Sequence, residues 1–204
     1  KDFNIEILKS KRLITLISGG LSKNSSTIKS IVDNIPRVNI EHSIRIGNRW
    51  NNKWNNKNII NSKLIVLDGY PIKKNDIHEI EELIKMNIPI LFISSPYDNH
   101  FTNEFLNSNY QISSTKNVVN KLFKFNKNNT FFNVDKYPEN SLNYLRNCGN
   151  SVLEFQNGTS SISIVNENLF IFIPTLTEID LKLSNINEEN LINDYIIKYI
   201  NHKL

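Results

Sequence analysis

Three short apolar runs, each closed by a turn and followed by a helical pattern, constrain this chain more than any other feature. They are Arg12 to Ser18 (RLITLIS) before Gly19-Gly20, Lys63 to Asp68 (KLIVLD) before Gly69-Tyr70-Pro71, and Ile88 to Ser94 (IPILFIS) before Ser95-Pro96. Apolar runs of strand length without polar alternation are the pattern of strands buried on both faces, as in a parallel sheet covered by helices. After the first run, Asn24, Ser25 and Ser26 offer N-cap groups to a helix carrying Ile28, Ile31, Val32 and Ile35, which Pro36 ends. After the second, Asp76 is expected to cap a helix with Ile77, Ile80, Leu83 and Ile84 on one face; Glu79, Glu81, Glu82 and His78 face water. After the third, Asp98 and Asn99 open a short helix through Phe101, Phe105 and Leu106.

Arg37 to Ile46 reads differently. Val38, Ile40, His42, Ile44 and Ile46 alternate on one side, the period of a half-buried strand, and His42 is a partly buried strand residue within it. Residues 47 to 62 read as a polar, Asn-rich loop anchored by Trp50 and Trp54. The first half is therefore βαββαβα, which calls for a parallel sheet with helices on its faces.

In the second half, Tyr110 to Phe132 reads as two or three short strands with an Asn-Lys turn at 126 to 129. Glu139 to Asn147 reads as a helix, and Cys148 as a small buried residue at its end. Val152 to Phe155 and Ser161 to Val165 flank Asn157-Gly158, a hairpin signature. Leu169 to Ile173 is a core strand, and Leu191, Ile192, Tyr195, Ile196, Tyr199 and Ile200 form the stripe of a closing helix. The expected fold is α/β, a flavodoxin- or Rossmann-like three-layer sandwich with a mostly parallel central sheet. Antiparallel strands and a hairpin are added in the C-terminal half, and residues 1–204 form one domain. Because the chain begins at Lys1 rather than Met, that domain reads as a piece of a longer protein.

Composition matters where function is concerned. The chain holds 35 Asn, 31 Ile and 19 Lys, against 5 Arg and no Ala. Asn, Ile and Lys have AT-rich codons, so the Asn runs and much of the Lys excess follow from genomic bias. The net charge of +4 is scattered and mostly lysine, which argues against a nucleic-acid partner. The densest basic patch is Arg45, Arg49, Lys53 and Lys57 around Trp50 and Trp54; it reads as a surface loop whose tryptophans tuck onto the domain. One cysteine excludes an internal disulfide, and no run approaches membrane-helix length.

The candidate chemistry gathers where the strands end. The segment Gly19-Gly20-Leu21-Ser22-Lys23-Asn24-Ser25-Ser26-Thr27 has the residue types of a phosphate loop, but no glycine precedes the lysine. A well-capped strand-to-helix turn needs the same residues. Ser94 and Ser95 stand where α/β enzymes mount a nucleophile, but an elbow needs small residues two before and two after it. Those positions hold Phe92 and Pro96, or Ile93 and Tyr97. Asp68 ends a strand where carboxylates in doubly wound folds bind ribose or metals. Gly19, Gly20, Ser22, Ser25, Asp68, Ser94 and Ser95 are thus the candidate ligand-binding edge. His42, His78, His100 and His202 form no ligand pair, so no metal, cofactor or catalytic set is expected.

From Lys63 to Leu106, LIVLDGYP, an amphipathic helix and then IPILFISSP resemble the class I glutamine amidotransferase-like fold. In that family the last of these strands, of the form Pro-Ile-Leu-Gly-Ile-Cys-x-Gly, carries the nucleophile. Pro89-Ile90-Leu91 match; Phe92 replaces the first Gly, Ser94 the Cys and Pro96 the second Gly. Where the family places His-Pro-Glu, Phe172-Ile173-Pro174-Thr175 keeps only the proline. The resemblance implies a degenerate, non-catalytic domain of the kind found in bacterial membrane-anchored proteins that carry a von Willebrand factor A domain. It would act there as a structural or protein-interaction module, its partner a protein, with the membrane reached only through segments outside this chain. The alternative is a small-ligand-binding or hydrolase-type α/β enzyme using the edge named above.

Overall fold

The computed structural model describes residues 11–115, 122–125, 131–133, 145–148, 150–155, 158–173, 176 and 191–204. The first half contains β1 (Arg12–Ser18), α1 (Lys23–Asp33), β2 (Val38–Ile46), β3 (Arg49–Asn51), α2 (Asn56–Ile59), β4 (Ser62–Asp68), α3 (Lys74–Ile84), β5 (Ile90–Ile93) and α4 (His100–Tyr110). Strands β6 (Ser113–Thr115), β7 (Leu122–Phe125), β8 (Phe131–Asn133), β9 (Leu145–Asn147), β10 (Ser151–Phe155), β11 (Ser160–Val165) and β12 (Asn168–Ile171) follow, and α5 (Leu191–Lys203) closes the chain.

All the described strands belong to one sheet, ordered β3-β2-β1-β4-β5-β12-β11-β10-β7-β8, with β9 paired to β11 and β6. The central five, β2-β1-β4-β5-β12, are parallel. Numbered among themselves in chain order they run 2-1-3-4-5, the flavodoxin-like arrangement. Antiparallel strands extend this core on both sides. The switch point, where the strand order reverses, lies between β1 and β4.

β1, β4, β5 and β12 are mostly apolar because both faces are covered, whereas β2, at the margin of the parallel core, alternates. On one face Ile14, Leu16, Leu64, Val66, Leu91 and Ile93 pack against Ile28 and Val32 of α1 and Ile192, Ile196 and Ile200 of α5. On the other, Ile17, Ile65, Leu67, Phe92 and Phe170 pack against Ile77, Ile80 and Leu83 of α3 and Phe105 and Leu106 of α4. The result is three layers, helices on either side of the sheet. Each of these side chains, fully removed from water, contributes about 1.5–3 kcal/mol of transfer free energy, an upper figure because unfolded chains already bury some surface.

Several local expectations are corrected. The N-cap of α1 is Ser22, whose hydroxyl accepts from the Ser25 amide, rather than Asn24, Ser25 or Ser26. Asp76 does cap α3, but from the third residue of its first turn rather than as the N-cap itself, its carboxylate accepting the Ile72 and Lys73 amides at 3.2 and 2.9 Å. Residues 47 to 62 are not all loop: Arg49–Asn51 pairs with Ile44–Ile46 across Gly47-Asn48, and Asn56–Ile59 forms one helical turn. Leu145–Asn147 is a strand rather than the end of a helix, held between β6 and β11; residues 139–144 lie outside the described residues, as does the turn at 126 to 129. Cys148 therefore follows a strand, half-buried, with its thiol against the Ser160 and Ser163 hydroxyls.

Candidate functional site

The C-terminal ends of β1, β4 and β5 meet at the switch point, where open α/β sheets bind ligands. Each strand hands its last amide to its neighbour. Gly19 donates to the Asp68 carbonyl at 2.9 Å, Gly69 to Ile93 at 2.9 Å and Ser94 to Ile171 at 2.8 Å. The three strand ends are thereby stitched together before their loops depart.

Asp68 lies at the centre, only 1% exposed. Its Oδ2 accepts the Ser22 and Ser25 hydroxyls, each at 2.5 Å, with Ser18 Oγ at 3.4 Å, while Asn24 Nδ2 approaches Oδ1 at 3.5 Å. The first turn of α1 supplies Asn24 and Ser25, and its N-cap supplies Ser22, so the carboxylate also faces the positive end of the helix. Burial pushes the carboxyl above the usual carboxylate range; the hydrogen bonds from Ser22, Ser25, Asn24 and Ser18 pull the other way without cancelling it.

A hydrogen-bond chain runs outward from this carboxylate. Ser25 Oγ lies 2.8 Å from Ser18 Oγ, which lies 2.8 Å from Nε2 of His42 on β2. His42 Nδ1 is buried with no partner among the described residues. A bare acceptor there costs less than an orphaned N–H, which places the imidazole proton on Nε2. The donors then point one way, from His42 to Ser18, Ser25 and Asp68. Burial, with a smaller effect from the Lys29 charge, lowers the His42 pKa to about 4, so the ring is neutral at pH 7. This is not the order of a hydrolytic triad, since two serines, Ser18 and Ser25, stand between histidine and aspartate and both are buried.

The β5 end is equally occupied. Ser94 Oγ donates to Asp98 Oδ2 at 2.7 Å, and the Ser95 amide approaches Asp98 Oδ1 at 3.2 Å. Ser94 and Ser95 are both buried, neither has a positive φ, and no histidine bonds Ser94. His100 stands on the first turn of α4, its ring tilted against that of Phe101. Asn24 Nδ2 donates to the Ser94 carbonyl at 3.1 Å, and its Oδ1 accepts the Leu176 amide at 3.1 Å, tying α1 to the β5 end and to the segment beyond β12.

The chain matches no protein-family model, no curated protein and no solved structure with which it was compared.

All seven residues of the expected edge (Gly19, Gly20, Ser22, Ser25, Asp68, Ser94 and Ser95) are brought together, but they face one another. A Cβ on Gly69, whose φ is +56°, would sit 1.8 Å from Ser95 Oγ. The Tyr97 ring lies over Gly20, and its hydroxyl donates to the Leu21 carbonyl at 2.8 Å, closing the crevice from outside. Sequence reasoning missed Ser18, Asn24, His42, Tyr97 and Asp98. Ser18 and His42 meet because Ser18 is in register with Ile44, two residues beyond His42 on the same face of β2.

Among the described residues, no group of three His, Cys, Asp or Glu could hold a metal ion. The basic patch does not form a stacking surface. Arg45 is bound to Asp76 and Lys53 to Glu79, while Trp50 and Trp54 pack edge-on to each other and to buried Tyr70 at 4.7–5.6 Å. His78 is exposed on α3. Among the described residues no helix is long and apolar enough to cross a membrane.

Proposed function

We propose that this chain is a non-catalytic, amidotransferase-like α/β domain that serves as a structural or protein-interaction module of a larger, membrane-anchored bacterial protein. The observation that carries this reading is the state of Ser94, the residue at the family's nucleophile position. Its hydroxyl is buried and spent on Asp98, without a histidine to take its proton and without the strained turn that presents a nucleophile. The crevice that would admit a substrate is filled by Asp68's own partners and covered by Tyr97.

The test is reaction with glutamine and with a fluorophosphonate serine probe. The expected result is no ammonia release above a Ser94→Ala control and no covalent adduct at Ser94. Stoichiometric labelling of Ser94, or glutamine hydrolysis that Ser94→Ala abolishes, would overturn the reading.

A further inference from the structure

The opposite end of the sheet is open where the switch point is closed. A cavity of about 300 Å³ lies at the N-terminal ends of β5 and β12, between the C-terminal ends of α3 and α4 and the β11–β12 turn. One side is aliphatic, formed by Ile84, Ile88 and Pro89. The other is a set of hydrogen-bonding groups with capacity to spare.

Tyr110 is the deepest of these. It is 7% exposed, and its ring packs edge-on against Phe105 and Phe170 at 5.8 and 4.7 Å. Its hydroxyl makes no hydrogen bond among the described residues, although the residue lines the cavity. Burial raises its pKa to about 12, so the group remains a neutral hydroxyl able to donate and accept. The hydroxyl opens onto the cavity rather than being sealed in the interior, so it is available to a molecule bound there. Beside it, Asn109 spends only its Nδ2, on the Phe105 carbonyl at 3.1 Å, leaving Oδ1 uncommitted. The exposed Asn87 side chain makes no hydrogen bond among the described residues.

The lining also restricts what fits. Its one charged residue, Glu167, is paired with Lys203 at 3.1 Å, so no free cation awaits a phosphate or carboxylate and no second carboxylate completes a metal site. Tyr110, the one aromatic side chain of the lining, is 7% exposed and packed edge-on against two phenylalanines, which leaves little of its ring for stacking a planar base. A ligand with an apolar C–H face and several hydroxyls, uncharged and small, matches both sides.

We propose that this cavity binds a neutral sugar ring, its C–H face against Ile88 and Pro89 and its hydroxyls paired with Tyr110 Oη and the Asn87 and Asn109 amides. This site is independent of Ser94 and the switch point. The experiment titrates the whole chain with glucose, galactose and N-acetylglucosamine by saturation-transfer NMR and calorimetry, with inorganic phosphate and adenine as controls. At least one sugar is expected to bind and the controls not to. Tyr110→Phe, which removes only an unpaired hydroxyl, should keep the melting temperature and weaken that sugar by about tenfold. Asn109→Leu should weaken it similarly. Absence of binding by all three sugars, sugar binding that both variants leave unchanged, or preference for phosphate or adenine would overturn the proposal.

Discussion

Gly19 lies so close to Gly69 that a Cβ on residue 19 would sit 2.1 Å from the Gly69 carbonyl oxygen. That oxygen belongs to the backbone of the β4 turn, which the Gly69 amide pins to β5, so it has nowhere to retreat. The neighbouring glycine differs. A Cβ on Gly20 meets the outer atoms of the Tyr97 ring at 2.4–2.7 Å, and that ring can swing away at the loss of its bond to Leu21. Gly19→Ala should therefore destabilise by about 3 kcal/mol or more, as an overpacked backbone contact does, and Gly20→Ala by about 1 kcal/mol, the worth of one hydrogen bond. Urea denaturation of both variants checks this. Equal losses would mean that the switch point yields more readily than its geometry indicates.

Asp68 makes an opposite-handed contribution to most carboxylates. Its folded pKa is raised, so the folded state prefers the protonated acid. The stability this contributes is complete below the usual carboxylate value of 3.8 and is lost as pH rises through the raised folded value. Asp68→Asn keeps an acceptor for the Ser22 and Ser25 hydroxyls and removes the titration. The expected outcome is a flatter dependence of the denaturation midpoint on pH in that window. An unchanged slope in the variant would assign the dependence to another group.

The contrast between Asp68 and its surroundings shows what was legible in the sequence. β1, β4 and β5 were readable because continuous apolar runs have one use in a chain of this length, and Gly19-Gly20, Gly69 and Pro96 mark where the three must turn. The cap of α1 was not readable: Ser22, Asn24, Ser25 and Ser26 all have capping side chains, and only the point where the backbone leaves the extended conformation, at Ser22, chooses among them. β3 carried a signal that went unused, since Gly47-Asn48 between Ile46 and Arg49 is a hairpin dipeptide, and Gly47 does adopt φ +61°. Leu145–Asn147 carried none, because its strand state comes from pairing with β6 and β11, which local propensity does not encode. The expected edge residues lie near one another at the strand ends, yet Tyr97 and Asp98 fold against them, a tertiary fact that spacing does not reveal.

His42 should make the protein acid-sensitive above the range of ordinary carboxylates. Its pKa falls from 6.5 to about 4 on folding, so the folded state resists protonation. The corresponding stability is complete above pH 6.5 and is lost as pH falls toward 4. At full effect it amounts to about 3 kcal/mol, less whatever solvent screening the half-buried ring retains. In His42→Gln, whose amide can still donate to Ser18, stability should fall less between pH 7 and pH 4.5. An NMR titration of the His42 ring showing a pKa near 6.5 in the folded protein would refute this account.

The β2–β3 hairpin is held to α3 by a buried ion pair. Arg45 Nη1 reaches both oxygens of Asp76 at 2.5 Å, with side-chain exposures of 11% and 3%, and the guanidinium lies 4.9 Å from the Trp50 ring centre. Asp76 also takes the Ile72 and Lys73 amides at the start of α3, so one carboxylate both caps the helix and neutralises the arginine. Removing either partner strands the other charge in the interior. Arg45→Met and Asp76→Ala should each destabilise by about 3–5 kcal/mol. The double variant should cost clearly less than the two losses added together, because it leaves no unpaired charge behind. Denaturation followed by the fluorescence of Trp50 and Trp54, which sit on this pair and on Tyr70, measures all three. Strict additivity would show that Arg45 and Asp76 contribute separately, through Trp50 packing and helix capping, and that their pairing adds nothing.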